Sequence, residues 1–394
     1  MSASLPPATT PDLYRYQNHL FVIGVIALIL CAIGAIFNFD QFLHSYLMAY
    51  VFWIGVALGS LAILMMQHLT GGAWGLLLRR ALESATRTLP AMIILFIPLL
   101  FGLHRLYIWT HSAEVAANPL LQHKHAYLNT PFFIIRAAGY FVIWILLIAL
   151  LNRWSLRQDK TGEPRLALKM QHLSGPGLFI LAITLSLALI DWVMSLEPEW
   201  YSTMYAVIYM AGDMLAAFAF TIGVIILLAD RKPLSDVITP DHFRDLGNLI
   251  LTFVMLWAYT SFAQFLLIWS GNLRDETPWY LSRTMGGWGW IAGALIVFHF
   301  FLPFFMLLGR SNKKNPKRLA VIALIVFFMR LVDVFWLVEP AFHPGNFHLS
   351  WMDIIAPIGI GGIWMALFIW FLKSRPILPL QDPYAEETFN HAGD

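Results

Sequence analysis

Arg330, Asp333 and Glu339 fall within a predominantly apolar run, Leu319 to Pro340, of the length that crosses a lipid bilayer. A charged side chain near a bilayer centre costs at least ~2.5–3.5 kcal/mol, so a run holding Arg330 and Asp333 needs a reason for both. Residues three apart on a helix share a face, so the two can neutralise each other where neither would be stable alone. Such a pair serves either as a staple between helices or as a proton- or ligand-handling site. The run ends in Asp333-Val-Phe-Trp-Leu-Val-Glu339-Pro340, and an earlier apolar run ends in Asp191-Trp-Val-Met-Ser-Leu-Glu197-Pro198. Two Asp-x5-Glu-Pro phrases at equivalent helix ends point to a duplicated unit. Six residues are ~600° of helical rotation, so each Asp and Glu diverge by about 120°. The expectation is an Asp facing the bundle and a Glu at the membrane surface, just before the helix-breaking proline.

Three further polar residues lie deep in apolar spans. Asp191 stands about 15 residues into the fifth span, Asp213 about 8 into the sixth and Asp333 about 14 into the ninth, which places all three carboxylates in the outer half of the membrane. Arg330 falls near the midplane, and His299, about 13 residues into the eighth span, slightly below it. The candidate proton path drawn from these depths comprises Asp191, Asp213, His299, Arg330 and Asp333, with Glu197, Glu339 and Asp353 toward the outer surface. His299 reads equally as a core histidine satisfied by a carbonyl. Asp213 has no cation on its own helix.

The elements that carry these groups are membrane helices. Hydrophobic residues make up 59% of the 394, charged residues 12%, and the mean hydropathy is +0.68, which excludes a soluble globule. Ten spans of about 20 apolar residues are expected, near 20–37, 43–66, 89–109, 131–151, 176–196, 205–228, 246–271, 286–308, 319–339 and 351–372. The polar first 18 residues hold one basic residue, Arg15, and read as leading into an uncleaved first helix rather than a secretory signal. Of the 25 Lys and Arg, 19 fall on the N-terminal side of the spans, 5 on the other, and Arg330 within, so both termini are expected in the cytoplasm.

The fold expected is all-α, a single polytopic domain. It comprises residues 1–42 with helix 1, a four-helix bundle 43–204 (helices 2–5), its repeat 205–345 (helices 6–9), and helix 10 with a cytoplasmic tail, 346–394. Gly71-Gly-Ala-Trp-Gly-Leu-Leu-Leu-Arg-Arg-Ala-Leu-Glu83 reads as a short amphipathic helix in the headgroup layer. The polar stretch Gln381–Asp394 reads as a mobile tail or one laid against a partner.

Metal chemistry has little to stand on in the sequence. A single cysteine, Cys31, excludes internal disulfides, thiolate metal sites and iron-sulfur clusters, so an electron-carrying metal would belong to a partner. The pair His123-Lys-His125 has no cysteine or carboxylate at ligand spacing. Only His299 lies well inside a span, which argues against a bis-histidine haem.

His68-Leu-Thr-Gly-Gly-Ala-Trp-Gly75 and Asp191-Trp-Val-Met-Ser-Leu-Glu-Pro-Glu-Trp-Tyr-Ser-Thr-Met-Tyr205 resemble the polysulfide-reductase-type (NrfD-like) membrane subunits of bacterial alternative complex III. The Leu-Val-Asp-Val-Phe-Trp-Leu ending of helix 9 is more similar to the second, smaller of the two. The resemblance implies an inner-membrane subunit of a respiratory quinol:electron acceptor oxidoreductase, cofactor-free and not catalytic by itself. Its partners would be an iron-sulfur protein, a multihaem cytochrome c, a homologous membrane subunit and a terminal oxidase. By the same resemblance Asp191, Asp213, His299, Arg330 and Asp333 contribute to proton translocation or to a quinone-like cavity. The quinone-binding relative carries a histidine on its fourth helix, whereas residues 131–151 hold Arg136 and none. The alternative is a stand-alone secondary transporter, whose duplicated bundles would also enclose midplane charges.

Overall fold

In the computed structural model, residues 11–379 and 381–383 are described, and residues 384–394 of the expected tail lie outside the described residues. Among the described residues, ten helices are long and apolar enough to cross a membrane. They are α1 (Leu13–Phe37), α2 (Phe39–Thr70), α3 (Ala73–Phe101), α4 (Thr130–Thr161), α5 (Pro164–Leu196), α6 (Thr203–Leu228), α7 (Pro240–Gly271), α8 (Trp288–Leu308), α9 (Pro316–Ala341) and α10 (Trp351–Lys373). Their starts follow local chemistry: Asn38, Asn129, Ser202, Thr239, Asn315 and Ser350 each accept a hydrogen bond from the first turn, satisfying donors that a helix leaves open. Crossing helices alternate in direction, so the start of α1 and the end of α10 share one face, here the terminal face. The ends of α5 and α9 share the opposite face.

The axis of the molecule is α2, whose most apolar stretch is 94% buried against 22% for α1. It packs on α1, α3, α5, α6, α9 and α10. Small residues permit the tightest of these contacts: a Cβ on Gly59 would lie 2.3 Å from the Asp213 carbonyl oxygen, so the α2 and α6 backbones meet there directly. On its other sides α6 packs on α7 and α9. The apolar stretches of α7 and α8 are only 33% and 22% buried, as a lipid-facing rim would be.

Two expectations are corrected. The helix Ala73–Thr86, expected in the headgroup layer, is buried from Gly75 to Thr86 and leads through a turn at Arg87 into Leu89–Phe101 as the first part of α3. Its amphipathic pattern is real, but the charged face points inward. Arg79 and Arg80 bracket Glu83 at 3.2 and 2.7 Å, Arg375 reaches the same carboxylate at 3.0 Å, and Arg80 also pairs with Asp159. The Ser155 hydroxyl donates to Glu83 as well, at 2.5 Å. Asp382, at the start of the expected tail, is bonded to Arg79 at 2.6 Å. The second correction concerns Glu339. The chain turns over Pro340 in a short 3-10 helix, Glu339–Ala341, and the loop that follows closes over the carboxylate, which is wholly buried rather than at the surface.

Candidate functional site

The site is organised by Arg330 on α9. Its Nη1 donates to Asp333 on the same helix face, as the three-residue spacing requires, and its Nη2 donates to Asp213 of α6 at 2.9 Å and to the Tyr209 carbonyl at 3.2 Å. The cation that Asp213 lacks on its own helix therefore comes from α9. Space for the guanidinium exists because residue 212 has no side chain: a Cβ there would sit 2.4 Å from the Arg330 Cζ. Asp333 also accepts from the Trp257 indole of α7 at 3.0 Å. All three charged residues are buried. Two carboxylates sharing one guanidinium carry a net charge of −1 when both are ionised and none when one is protonated.

His299 lies behind this triad. A π-helical stretch, Leu295–Phe301, widens α8 by one residue and turns His299 inward, where its ring meets Trp257 edge-on at 4.3 Å. Neither ring nitrogen has a hydrogen-bond partner among the described residues, so of the two readings the sequence left even, the carbonyl-satisfied core histidine is not what is found.

Beside Asp333 opens a cavity of about 680 Å³ between α7 and α8, within the range of small-molecule sites. Its wall is largely aromatic, and Trp257, Ser261, Gln264, Tyr280 and Asp333 supply its polar points. The Gln264 amide donates to the Tyr280 hydroxyl at 3.2 Å and accepts from Ser202 at 2.8 Å. The Ser261 hydroxyl is buried without a hydrogen-bond partner among the described residues. Burial pushes the Tyr280 phenol up to about 12, against the opposing Gln264 bond, so it stays protonated and able to donate at neutral pH. The rim residues Tyr259, Phe262 and Ile296 are exposed, so the cavity opens where α7 and α8 would face lipid.

The remaining candidates fall into separate clusters rather than one continuous wire. Asp191 is held by a fork from Arg136, 2.9 Å to each oxygen, and by Tyr140 at 2.9 Å, with Arg136 stacked 3.8 Å from the Tyr127 ring. On the same two helices, α4 and α5, the rings of Phe141, Trp144 and Trp192 interlock. Glu197 is paired by Arg283, at 2.5 and 3.2 Å, from the short helix Thr277–Thr284. Asp353 accepts from Ser45 at 2.5 Å and Gln41 at 3.1 Å, tying the starts of α10 and α2 together. Glu339 stands with His44 of α2 and His343 of the following loop, their ligand atoms within 4.8 Å of one another. Burial and the neighbouring His348 hold the His343 imidazole below its usual value, against the pull of Asp353.

Sequence reasoning missed Arg136, Arg283 and Trp257 as site residues, and it read His44 and His343 as outer-loop histidines for partner contact or proton exchange without bringing them to Glu339. Arg136 carried the clearest signal, a basic residue six positions into the apolar stretch of α4. No protein-family model matches the chain, and no curated protein matches it.

Proposed function

We propose that the chain is a proton-handling membrane subunit of a quinol-oxidising electron-transport complex, with the Asp213–Arg330–Asp333 triad and the adjoining cavity as its working site. The observation that carries this reading is the charge count of the triad. A net charge in hydrocarbon costs at least ~2.5–3.5 kcal/mol, so the fully ionised triad has a strong tendency to take up one proton, and Asp333 stands at the cavity wall where a proton can be exchanged. The cavity suits an amphiphilic ring on an isoprenoid tail: aromatic walls for the ring, Ser261, Gln264 and Tyr280 for its oxygens, and a mouth on the lipid side. Quinone is the cofactor class with that chemistry.

The redox part of the reading rests on the resemblance of the His68–Gly75 and Asp191–Tyr205 phrases. Haem c and iron-sulfur centres would then sit in partner subunits. A duplicated four-helix unit, α2–α5 and α6–α9, belongs to the same reading; its support is that Asp191 and Asp333 are each buried and each bonded to an arginine. The bias of 19 basic residues to 5 favours both termini in the cytoplasm of a bacterial inner membrane. A stand-alone secondary transporter is the second reading, favoured by a cavity that reaches a buried charge.

Mild detergent extraction from native membranes separates the two. Haem c absorption and iron-sulfur paramagnetic signals that co-elute with the chain support the first; a lone, solute-binding chain overturns it. In the assembled complex reconstituted into vesicles, Asp213→Asn and Asp333→Asn should each abolish turnover-linked proton movement while leaving assembly intact. Unchanged proton movement in both refutes the role of the triad.

A further inference from the structure

The duplicated phrases leave one carboxylate without a cation. Glu197 has the Arg283 guanidinium at 2.5 and 3.2 Å. Glu339, its counterpart, is wholly buried, and neither carboxylate oxygen has a hydrogen-bond partner among the described residues. A buried, unpaired carboxylate is among the costliest arrangements in a folded protein. What faces Glu339 instead of an arginine is a pair of imidazoles, His44 and His343, and the buried His44 Nδ1 and His343 Nε2 are also unpartnered.

We propose that His44, Glu339 and His343 form a divalent transition-metal site at the opposite face, and that Zn2+ there supplies the positive charge that Arg283 supplies to Glu197. Two imidazoles and one carboxylate are a donor set that zinc takes, leaving a fourth position for water or another side chain. A tetrahedral Zn2+ with bonds of about 2.0–2.1 Å sets its ligand atoms roughly 3.3 Å apart. The atoms within 4.8 Å of one another therefore close by at most about 1.5 Å, a matter of side-chain rotation.

The three ligands come from three segments, and each is already positioned. The His44 ring is stacked on Phe342 at 3.7 Å with 9° between planes. Its neighbour Ser45 is bonded to Asp353, which fixes α2 against α10. The loop that carries His343 is held by Trp288, which donates to the His343 carbonyl at 3.2 Å, and by backbone bonds from Gly345 to Ser282 and from Phe347 to Gly286. The His348 ring, 4.5 Å from that of His343, offers a further imidazole beside the three ligands. A metal here would tie α2, the end of α9 and the loop before α10 at one point, independently of whether the triad handles protons.

The test uses the full chain with whatever subunits purify alongside it, stripped of metal by a chelator and titrated with Zn2+, and with Co2+ as a spectroscopic probe. One equivalent should bind per chain, and Co2+ should give the intense visible bands of a four-coordinate site. His343→Ala, in the loop and therefore the least damaging to folding, should weaken Zn2+ by more than the roughly 10–100-fold lost when a residue that only hydrogen-bonds to a ligand is removed. Glu339→Gln, which keeps the side-chain shape, should do the same, while His104→Ala/His111→Ala, at a second histidine pair in contact on the same face, should leave binding unchanged. Zn2+ that binds equally to the His343→Ala and Glu339→Gln proteins, or that is lost with the His104/His111 pair, would overturn the proposal, as would a chain that takes up no stoichiometric metal.

Discussion

Replacing Arg330 by methionine removes the single cation that Asp213 and Asp333 share, and leaves two buried carboxylates without a counter-charge. Breaking one buried ion pair costs about 3–5 kcal/mol, and here two are broken at once. The upper end is expected, about 5 kcal/mol, a fall of roughly 4 × 10³-fold in the ratio of folded to unfolded protein. The comparison that matters is with Arg330→Met/Asp213→Asn/Asp333→Asn. Buried charges replaced together by neutral groups of similar size are often tolerated, so the triple variant should recover most of the lost stability. It should nevertheless move no protons. Unfolding in mixed SDS micelles, followed by tryptophan fluorescence, gives the stabilities, and vesicle pH measurements give the function. A single variant within ~0.5 kcal/mol of the parent, the scatter of an ordinary surface substitution, would refute the reasoning. So would a triple variant as unstable as the single, because the damage would then be lost packing around Gly212 rather than stranded charge.

Arg136→Leu should destabilise by about 3–5 kcal/mol through Asp191, and Arg136→Lys by less, since it keeps the charge but not the two-pronged contact; melting in detergent ranks them. Ala258→Trp, on the cavity wall, should weaken binding of a short-chain quinone analogue at least tenfold in a fluorescence competition assay with no loss of thermal stability. Asp382→Ala should lower stability by about 1–3 kcal/mol by leaving the Arg79 guanidinium short of a buried acceptor, measured by the same melting assay. The Tyr280 phenol is raised in the folded chain, so its contribution is complete below the ordinary tyrosine value near 10 and is lost as pH rises toward about 12; Tyr280→Phe should flatten that alkaline decline in stability.

Legibility in the sequence followed the range of the interaction. The ten spans were readable because bilayer thickness imposes a length of apolar sequence, and the structure differs mainly in extending helices past the apolar stretch, as where α4 continues to Thr161. Arg330 with Asp333 was readable because a three-residue spacing is a local rule. Asp213 with Arg330 and Asp191 with Arg136 were not, because each joins two helices whose facing sides no periodicity specifies. The helix Ala73–Thr86 shows the limit most directly: amphipathicity reports that two faces differ, not which one faces the interior. Its charges found partners on α4 and after α10, and a headgroup position followed only if none existed. That the outer-loop histidines His44 and His343 meet at Glu339 was unreadable for the same reason, the two being about 300 positions apart in the chain.

The inward-facing charges of Arg79, Arg80 and Glu83 also bear on how the protein is made. Two of their partners, Arg375 and Asp382, are translated about 300 residues later, roughly 15–60 s at common elongation rates of 5–20 residues per second. Throughout that interval the nascent polypeptide must carry an unfinished polar cluster at the translocon. Insertion of this sequence therefore favours either slow release of the early helices into lipid or a chaperone that shields them, and premature termination would yield a product marked for proteolysis by its own unmatched arginines.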